Sequence, residues 1–277
     1  MIHFRMIAPL ALAVSVTTAQ AQTVEPAKVE ALFDALGLPE MMQIMREEGV
    51  NYGAEIGEDL FDGRASVEWT NIVSGIYDAD AMQTVVLEGL TTALEGDDVD
   101  AMIAFFSGEP GQTIIGLELS ARRALLDETV EEAAKEVATE AMLDNTDRYQ
   151  KVRSFIEIND LVETNVVGAM NSNYAFYTGL MDGGALPQEL TEDQVLNDVW
   201  SQEPEIRVNT TEWVYSFLML AYQPLSDADL DAYIAFSETE AGQDLNAAMF
   251  AAFDGMFEDI SRALGLGSAQ FMTGQDI

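Results

Sequence analysis

Apolar residues recur at intervals of three and four along most of the chain, and no stretch alternates for long between apolar and polar positions. This spacing places apolar side chains on one face of an α-helix, whereas a half-buried strand would alternate. Glycine and proline divide the pattern into segments. We predict an all-α protein, with helices over residues 26–36, 39–61, 66–76, 79–95, 97–107, 109–144, 147–181, 191–200, 207–222, 227–238 and 239–265.

One segment of this pattern occurs twice. Residues 98–112 match residues 229–243 at nine of fifteen positions without a gap, and Trp69 and Trp200 lie at the same separation of 131 residues. These matches predict a tandem duplication of a helical-bundle unit, with the two copies packed about a pseudo-twofold axis. The positions that define the repeated block are Asp98, Asp100, Ile103, Phe105, Glu109, Gly111, Gln112, Asp229, Asp231, Ile234, Phe236, Glu240, Gly242 and Gln243.

A weaker match extends the duplication toward the N-terminus at a different separation. Asn51 corresponds to Asn173, which lies 122 residues further on. The change of separation predicts an insertion of nine residues in the second copy, most simply in the loop 183–191. We therefore place helical repeat unit 1 at residues 22–146 and helical repeat unit 2 at residues 147–277.

The beginning of the chain has the three parts of a secretory signal peptide. A basic residue precedes the apolar residues 6–16, and Ala19 and Ala21 stand three and one residues before the predicted cut. We assign residues 1–21 to the signal peptide, with cleavage between Ala21 and Gln22. No later segment reaches the roughly 20 apolar residues that a membrane span needs. These features predict an exported, soluble periplasmic protein without a transmembrane segment after signal removal.

The chain has no cysteine, and its single histidine, His3, lies within the predicted signal peptide. The mature protein would therefore have neither thiol nor imidazole, which excludes histidine-assisted hydrolysis, disulfides and ordinary zinc, copper or haem sites. We predict no cofactor. Any catalysis would use carboxylates, tyrosine, lysine or a hard metal ion.

The chain is strongly acidic, with 49 Asp and Glu against 12 Lys and Arg and a formal net charge of −37. A charge of this size repels nucleic acid and anionic membranes. It indicates either solubility in a salty habitat or a basic partner.

Within the repeated block, the helix that contains Phe105 is apolar nearly all round, and so is the equivalent helix with Phe236. Such a helix is typical of a buried position, with both phenylalanines as core anchors and the alanines facing a neighbouring helix. The glycines Gly111 and Gly242 indicate close helix crossings. As an alternative, the Glu–Gln pairs that flank these glycines would meet across the axis and form a polar site.

The start of the second block carries a weak likeness to a calcium loop. Asp227, Asp229 and Asp231 occupy every second position, and Glu238 is the twelfth residue counted from Asp227, as in the calcium loop of an EF-hand. Ala232 occupies the position where the tight turn of that loop needs glycine. We interpret the acidic residues as the first turn of a helix with Ser226 as its N-cap, and predict no metal site.

The repeated block resembles the signature of an exported bacterial family, domain of unknown function 2059. The family's typical run, Phe-Tyr-x-Ser-x-x-Gly-Lys/Gln, is similar to residues 105–112 and 236–243, whereas its tyrosine is replaced by Phe106 in one copy and by Ser237 in the other. The resemblance implies a helical protein of the cell envelope and supplies no catalytic residues.

We expect a non-enzymatic binding or structural role in the cell envelope, with an envelope protein or an apolar ligand as partner. Two alternatives remain open at this level. A lipid or acyl-chain carrier would have an enclosed apolar cavity lined by Met and Phe of the last helices. A hydrolase that depends on carboxylates or a hard metal would bring several acidic residues with raised pKa into one pocket.

Overall fold

A computed structural model describes residues 25–60, 67–187 and 191–273. These residues form α-helices and no strand, which confirms the all-α prediction. The predicted signal peptide and its cleavage site lie outside the described residues. The helices are α1 (Pro26–Ala35), α2 (Leu38–Leu60), α3 (Val67–Ile76), α4 (Ala79–Ala93), α5 (Val99–Phe106), α6 (Glu109–Ala124), α7 (Glu128–Leu143), α8 (Asp147–Ile158), α9 (Leu161–Asp182), α10 (Glu192–Tyr222), α11 (Asp227–Ser237) and α12 (Glu240–Thr273).

Two of the predicted helices are divided. The segment 109–144 breaks after Ala124, where the Asp127 side chain accepts a hydrogen bond from the Thr129 amide and begins α7. The segment 147–181 breaks at Asp160, which adopts the left-handed backbone conformation with φ 49°. Asp has a short polar side chain that tolerates this conformation better than most residues, so the chain turns there without glycine.

Two other predicted helices are joined. The segments 191–200 and 207–222 belong to one helix, α10, which runs through Pro204. Proline cannot donate the helical hydrogen bond to the carbonyl of Trp200, and this loss usually ends or bends a helix. Here, packing of α10 against α6, α7, α8 and α9 outweighs that loss.

Both major cores combine residues from the two predicted repeat units. The first core is built from α1 to α5 and is completed by α12, through residues such as Leu245, Met256 and Leu264. The second core is built from α8, α10 and α11 and is completed by α6 and α7, through Ile114 and Ala138. Each predicted unit therefore contributes its last helices to a major core of the other, and only a small third core, around Val166, Met170 and Val199, is formed by the second unit alone.

Helix α12 packs closely against α9. A Cβ atom on Gly179 would lie 2.2 Å from the carbonyl oxygen of Arg262, and one on Gly265 would lie 2.1 Å from that of Phe176. Side chains larger than hydrogen would thus prevent this approach of the two backbones. Over the described residues, no helix is both long and apolar enough to cross a membrane.

Candidate functional site

The two copies of the repeated block make matching hydrogen bonds. The Gln112 side-chain amide donates to the carbonyl oxygens of Phe106 and Ala35, at 2.6 and 3.0 Å. The Gln243 amide donates to the carbonyl oxygens of Ser237 and Ile158, at 2.5 and 3.4 Å. Each glutamine therefore ties the corner between two helices to a third helix. These contacts give no support to the alternative in which the Glu–Gln pairs meet and form a polar site.

The two glycines of the block allow the helix corner to close. A Cβ atom on Gly111 would lie 2.3 Å from the Phe105 carbonyl oxygen, and one on Gly242 would lie 2.1 Å from the Phe236 carbonyl oxygen. The predicted close crossings are confirmed at both positions.

Contacts upstream of the block also match, at a separation of 123 residues. Lys28 forms an ion pair with Asp100, and Lys151 forms one with Asp231. Gly37 and Asp160 both have positive φ, 64° and 49°. Lys28 and Lys151 are 123 residues apart, and so are Gly37 and Asp160. This separation is one residue greater than the 122 residues between Asn51 and Asn173.

The phenylalanines of the block contact each other. The rings of Phe105 and Phe236 stack with centroids 4.2 Å apart and planes 13° from parallel. Both are only partly buried, and Ala104 and Ala235 are exposed. The expectation of a helix buried nearly all round is therefore wrong: each block helix leaves one alanine, Ala104 or Ala235, exposed, whereas Ala101 packs against the first core.

The acidic start of α11 is a helix cap. The Ser226 hydroxyl accepts a hydrogen bond from the Asp229 amide, as the cap interpretation predicts. Asp227 pairs with Arg148, and Asp231 pairs with Lys151. Within the described ranges, no three or more acidic, His or Cys residues are grouped so that they could hold a metal ion. The calcium-loop alternative on Asp227, Asp229, Asp231 and Glu238 has no support in this geometry.

A carboxyl group with an altered pKa lies between the two units. The Tyr222 hydroxyl donates to Glu118 Oε1 at 2.6 Å, and Tyr233 lies beside Tyr222 with ring centroids 6.2 Å apart. Burial raises the pKa of Glu118 to about 7, although the hydrogen bond from Tyr222 opposes the shift. Burial also raises the pKa of both tyrosines well above the usual value. This cluster brings one acidic side chain to the site, not the several that the hydrolase alternative requires.

An apolar groove lies between α9 and α10. It has a volume of about 270 Å³, and the side chain of Trp200 on its wall is 64 % exposed. A tryptophan this exposed is uncommon on a soluble protein and marks a contact surface when other apolar residues adjoin it. The groove is lined by Glu163, Val166, Val167, Met170, Trp200, Ser201, Glu203, Pro204 and Arg207.

Ion pairs form the polar edge of the groove. Arg207 Nη1 lies 2.7 Å from Glu163 Oε2, and Arg207 Nε lies 2.5 Å from Glu203 Oε1. The two carboxylates raise the pKa of the Arg207 guanidinium. Because two negative charges surround one positive charge, this edge keeps a negative excess.

Trp69, which occupies the equivalent sequence position, has the opposite environment. It is 1 % exposed, and its indole N–H donates to the Gly53 carbonyl oxygen at 2.7 Å. Helix α12 covers it: Phe271 contacts the indole edge-on, with ring centroids 5.6 Å apart. The matching sequence positions thus place one tryptophan in the core and the other at the surface.

The course of α7 explains this difference. Helix α12 continues without a break from Ala252, beside Gly89 of α4, to Gly267, beside Trp69 of α3. Helix α6 begins the same course along α10, where Arg122 lies 4.9 Å above the Trp213 ring. After the break at 125–127 the chain turns.

An ion pair between α7 and α10 shows where α7 lies after this turn. Lys135, thirteen residues after Arg122, is still beside residue 212, with its Nζ 3.8 Å from Glu212 Oε2. This contact places α7 beside the second half of α10. By contrast, Trp200, in the first half of α10, is 64 % exposed, although Val195 and Val199 of the same half are buried.

The sequence itself distinguishes the two tryptophans at the positions that would cover them. The residues that approach Trp69 from α12 are Gly267 and Phe271. The residues 131 positions earlier are Glu136 and Glu140, which cannot cover an indole.

Comparison of the chain with protein family models, with curated proteins and with solved structures gave no match.

Proposed function

We propose that this protein is a non-enzymatic binding protein of the cell envelope, and that it binds an apolar group of its partner in the groove at Trp200. The observation that carries the proposal is the contrast between the covered Trp69 and the open Trp200. An exposed tryptophan beside Val167, which is itself 46 % exposed, provides the kind of aromatic anchor on which binding energy concentrates.

The volume of the groove favours a single inserted side chain. Small-molecule pockets have volumes of roughly 300–1,000 Å³, and this groove, at about 270 Å³, is slightly smaller. The Met and Phe residues predicted to line a carrier cavity, such as Met256 and Phe253, instead pack in the first core. Both observations favour a protein partner over a lipid.

The origin and location of the protein belong to the same proposal. We infer a tandem duplication with pseudo-twofold packing, supported by the matching glutamine, lysine and glycine contacts and by the stacking of Phe105 on Phe236. Export to the periplasm is supported by the signal-like residues 1–21 and by the absence of cysteine. Membership of the family of domain of unknown function 2059 is supported by residues 105–112 and 236–243.

Binding of the neutral dye Nile red to the purified protein tests the apolar groove. A neutral dye is suitable because the net charge of −37 would repel an anionic dye. We expect dye fluorescence to rise with the wild-type protein and to be lost in Trp200→Ala. The matched control is Val137→Ala, which shortens another exposed apolar residue, on α7, and should leave dye binding unchanged. Equal dye binding by wild type and Trp200→Ala would contradict the proposal.

A further inference from the structure

We propose that the groove at Trp200 receives an α-helix of a partner protein, which presents a small residue, an aromatic residue four positions later, and Lys or Arg on its flanks. This inference rests on the proposed function and deepens it by naming the class of partner.

The cover of Trp69 within the same chain provides the pattern for this helix. The backbone of α12 approaches the indole at Gly267, where a Cβ atom would lie 3.5 Å from Trp69 Cζ3. Four residues later, Phe271 meets the indole edge-on at an interplanar angle of 78°. Residues four apart lie on the same face of a helix. A helix with glycine and phenylalanine at this spacing therefore covers a tryptophan in this setting.

The second copy retains the tryptophan without the glycine and phenylalanine that cover it in the first copy. Glu136 and Glu140 stand at the positions that match Gly267 and Phe271, and α7 is turned toward Glu212. The groove between α9 and α10 keeps Trp200 and Val167 exposed for a helix to contact, above the buried Val166 and Met170. An apolar groove between two helices is a known type of site for an amphipathic helix. The small volume of this groove suits the one aromatic side chain that such a helix would insert.

The charge of the surface identifies the flanks of the partner helix. Glu163 and Glu203 border the groove around one Arg207, so its edge carries one excess negative charge. The whole chain carries a net charge of −37. A helix with Lys or Arg beside its apolar face would be attracted to this surface, and an acidic helix would be repelled.

A synthetic peptide of about 20 residues, long enough to hold helical structure, tests this inference. It carries Gly-x-x-x-Phe on its apolar face, lysines on its polar face and a fluorescent label for anisotropy. We expect it to bind the wild-type protein, to bind Trp200→Ala at least about tenfold more weakly, and to bind Val137→Ala as it binds wild type. A peptide with Phe replaced by Ala, and one with Lys replaced by Glu, should each bind more weakly.

The outcomes separate this inference from the proposed function. If Nile red binds through Trp200 but the peptide does not bind, the helical partner is wrong and the apolar groove stands. If the peptide binds wild type and Trp200→Ala equally, or binds equally well without its Phe, its attraction is general charge and the inference is overturned. If neither probe depends on Trp200, the proposed function fails as well.

Discussion

Phe105 and Phe236, which occupy the same position in the two copies of the repeated block, stack on each other at 4.2 Å. Equivalent residues contact each other in this way when they lie on a twofold axis. The contact joins the first half of the chain to the second, beside helices that each half contributes to the core of the other. We therefore expect the two halves to unfold as one unit.

The stacked pair should be energetically coupled. Phe105→Ala and Phe236→Ala should each destabilise the protein by about 1–3 kcal/mol, less than the 3–5 kcal/mol of a fully buried phenylalanine, because both rings keep some exposure. The double variant should lose about 0.5–1.5 kcal/mol less than the sum of the single losses, since each ring is the partner of the other. Urea unfolding of the four proteins measures this coupling. Strict additivity would show that the rings do not interact.

The glycines of the repeated block should not tolerate a side chain. Gly111→Ala and Gly242→Ala place a methyl group against the backbone carbonyls of Phe105 and Phe236, so each should destabilise the protein by about 1–3 kcal/mol. Gly116→Ala is the matched control, because a Cβ atom there meets nothing within 4 Å. In the middle of α6 it should stabilise the protein by about 0.5–1 kcal/mol. Equal effects of Gly111→Ala and Gly116→Ala on the melting temperature would contradict the close corner.

Glu118 should make stability depend on pH. Burial raises the pKa of this carboxyl from 4.5 to about 7 in the folded protein, so the folded state holds its proton more tightly than the unfolded state. Its contribution to stability is therefore complete below the unfolded pKa and is lost as the pH rises toward 7. Glu118→Gln should gain stability relative to wild type over this interval, on the order of 1–3 kcal/mol.

Urea unfolding of wild type and Glu118→Gln at several pH values between about 4 and 8 checks this sign. Tyr222→Phe serves as a second variant. It removes the hydrogen bond that opposes the shift, so the loss of stability should extend to higher pH, while the lower end of the interval, set by the unfolded state, stays where it is. A difference between Glu118→Gln and wild type that stays constant over the whole range would show that Glu118 does not titrate with a raised pKa.

Added salt should stabilise the protein. With 49 acidic and 12 basic residues, repulsion among like charges outweighs the surface ion pairs, and salt screens both. The melting temperature should therefore rise as NaCl increases from about 0.05 to about 1 M. A falling melting temperature would mean that stabilisation by ion pairs such as Arg122–Glu48 is greater than destabilisation by repulsion among the acidic residues.

The helices of this protein could be predicted from their periodicity, but some of their ends could not. Asp160 ends a helix in a conformation that is typical of glycine, and Pro204 lies inside a helix. At Pro204 the packing of α10 outweighs the local preference, whereas at Asp160 a short polar side chain adopts a conformation that glycine would more usually provide. The Ser226 cap and the close approach at Gly111 and Gly242 could be predicted because they depend on local residues, whereas the burial of the block helices could not.

The groove was not predicted, because it results from a difference between two matching positions. Trp69 and Trp200 align in sequence, so the repeat suggested the same environment for both. The environment of each depends on a distant helix: α12 continues over Trp69, whereas the break before Asp127 turns α7 away from Trp200. The difference can be read from the covering positions, where Gly267 matches Glu136 and Phe271 matches Glu140.

The exposure of Trp69 and Trp200 can be measured by acrylamide quenching of two variants. Trp69→Phe/Trp213→Phe keeps only Trp200, and Trp200→Phe/Trp213→Phe keeps only Trp69. Acrylamide is neutral, so the charge of the protein does not bias its approach. We predict that Trp200 emits at long wavelength and is quenched strongly, whereas Trp69 emits at short wavelength and is protected, in proteins whose circular dichroism remains helical. Equal quenching of the two tryptophans would contradict the open groove on which the proposed function depends.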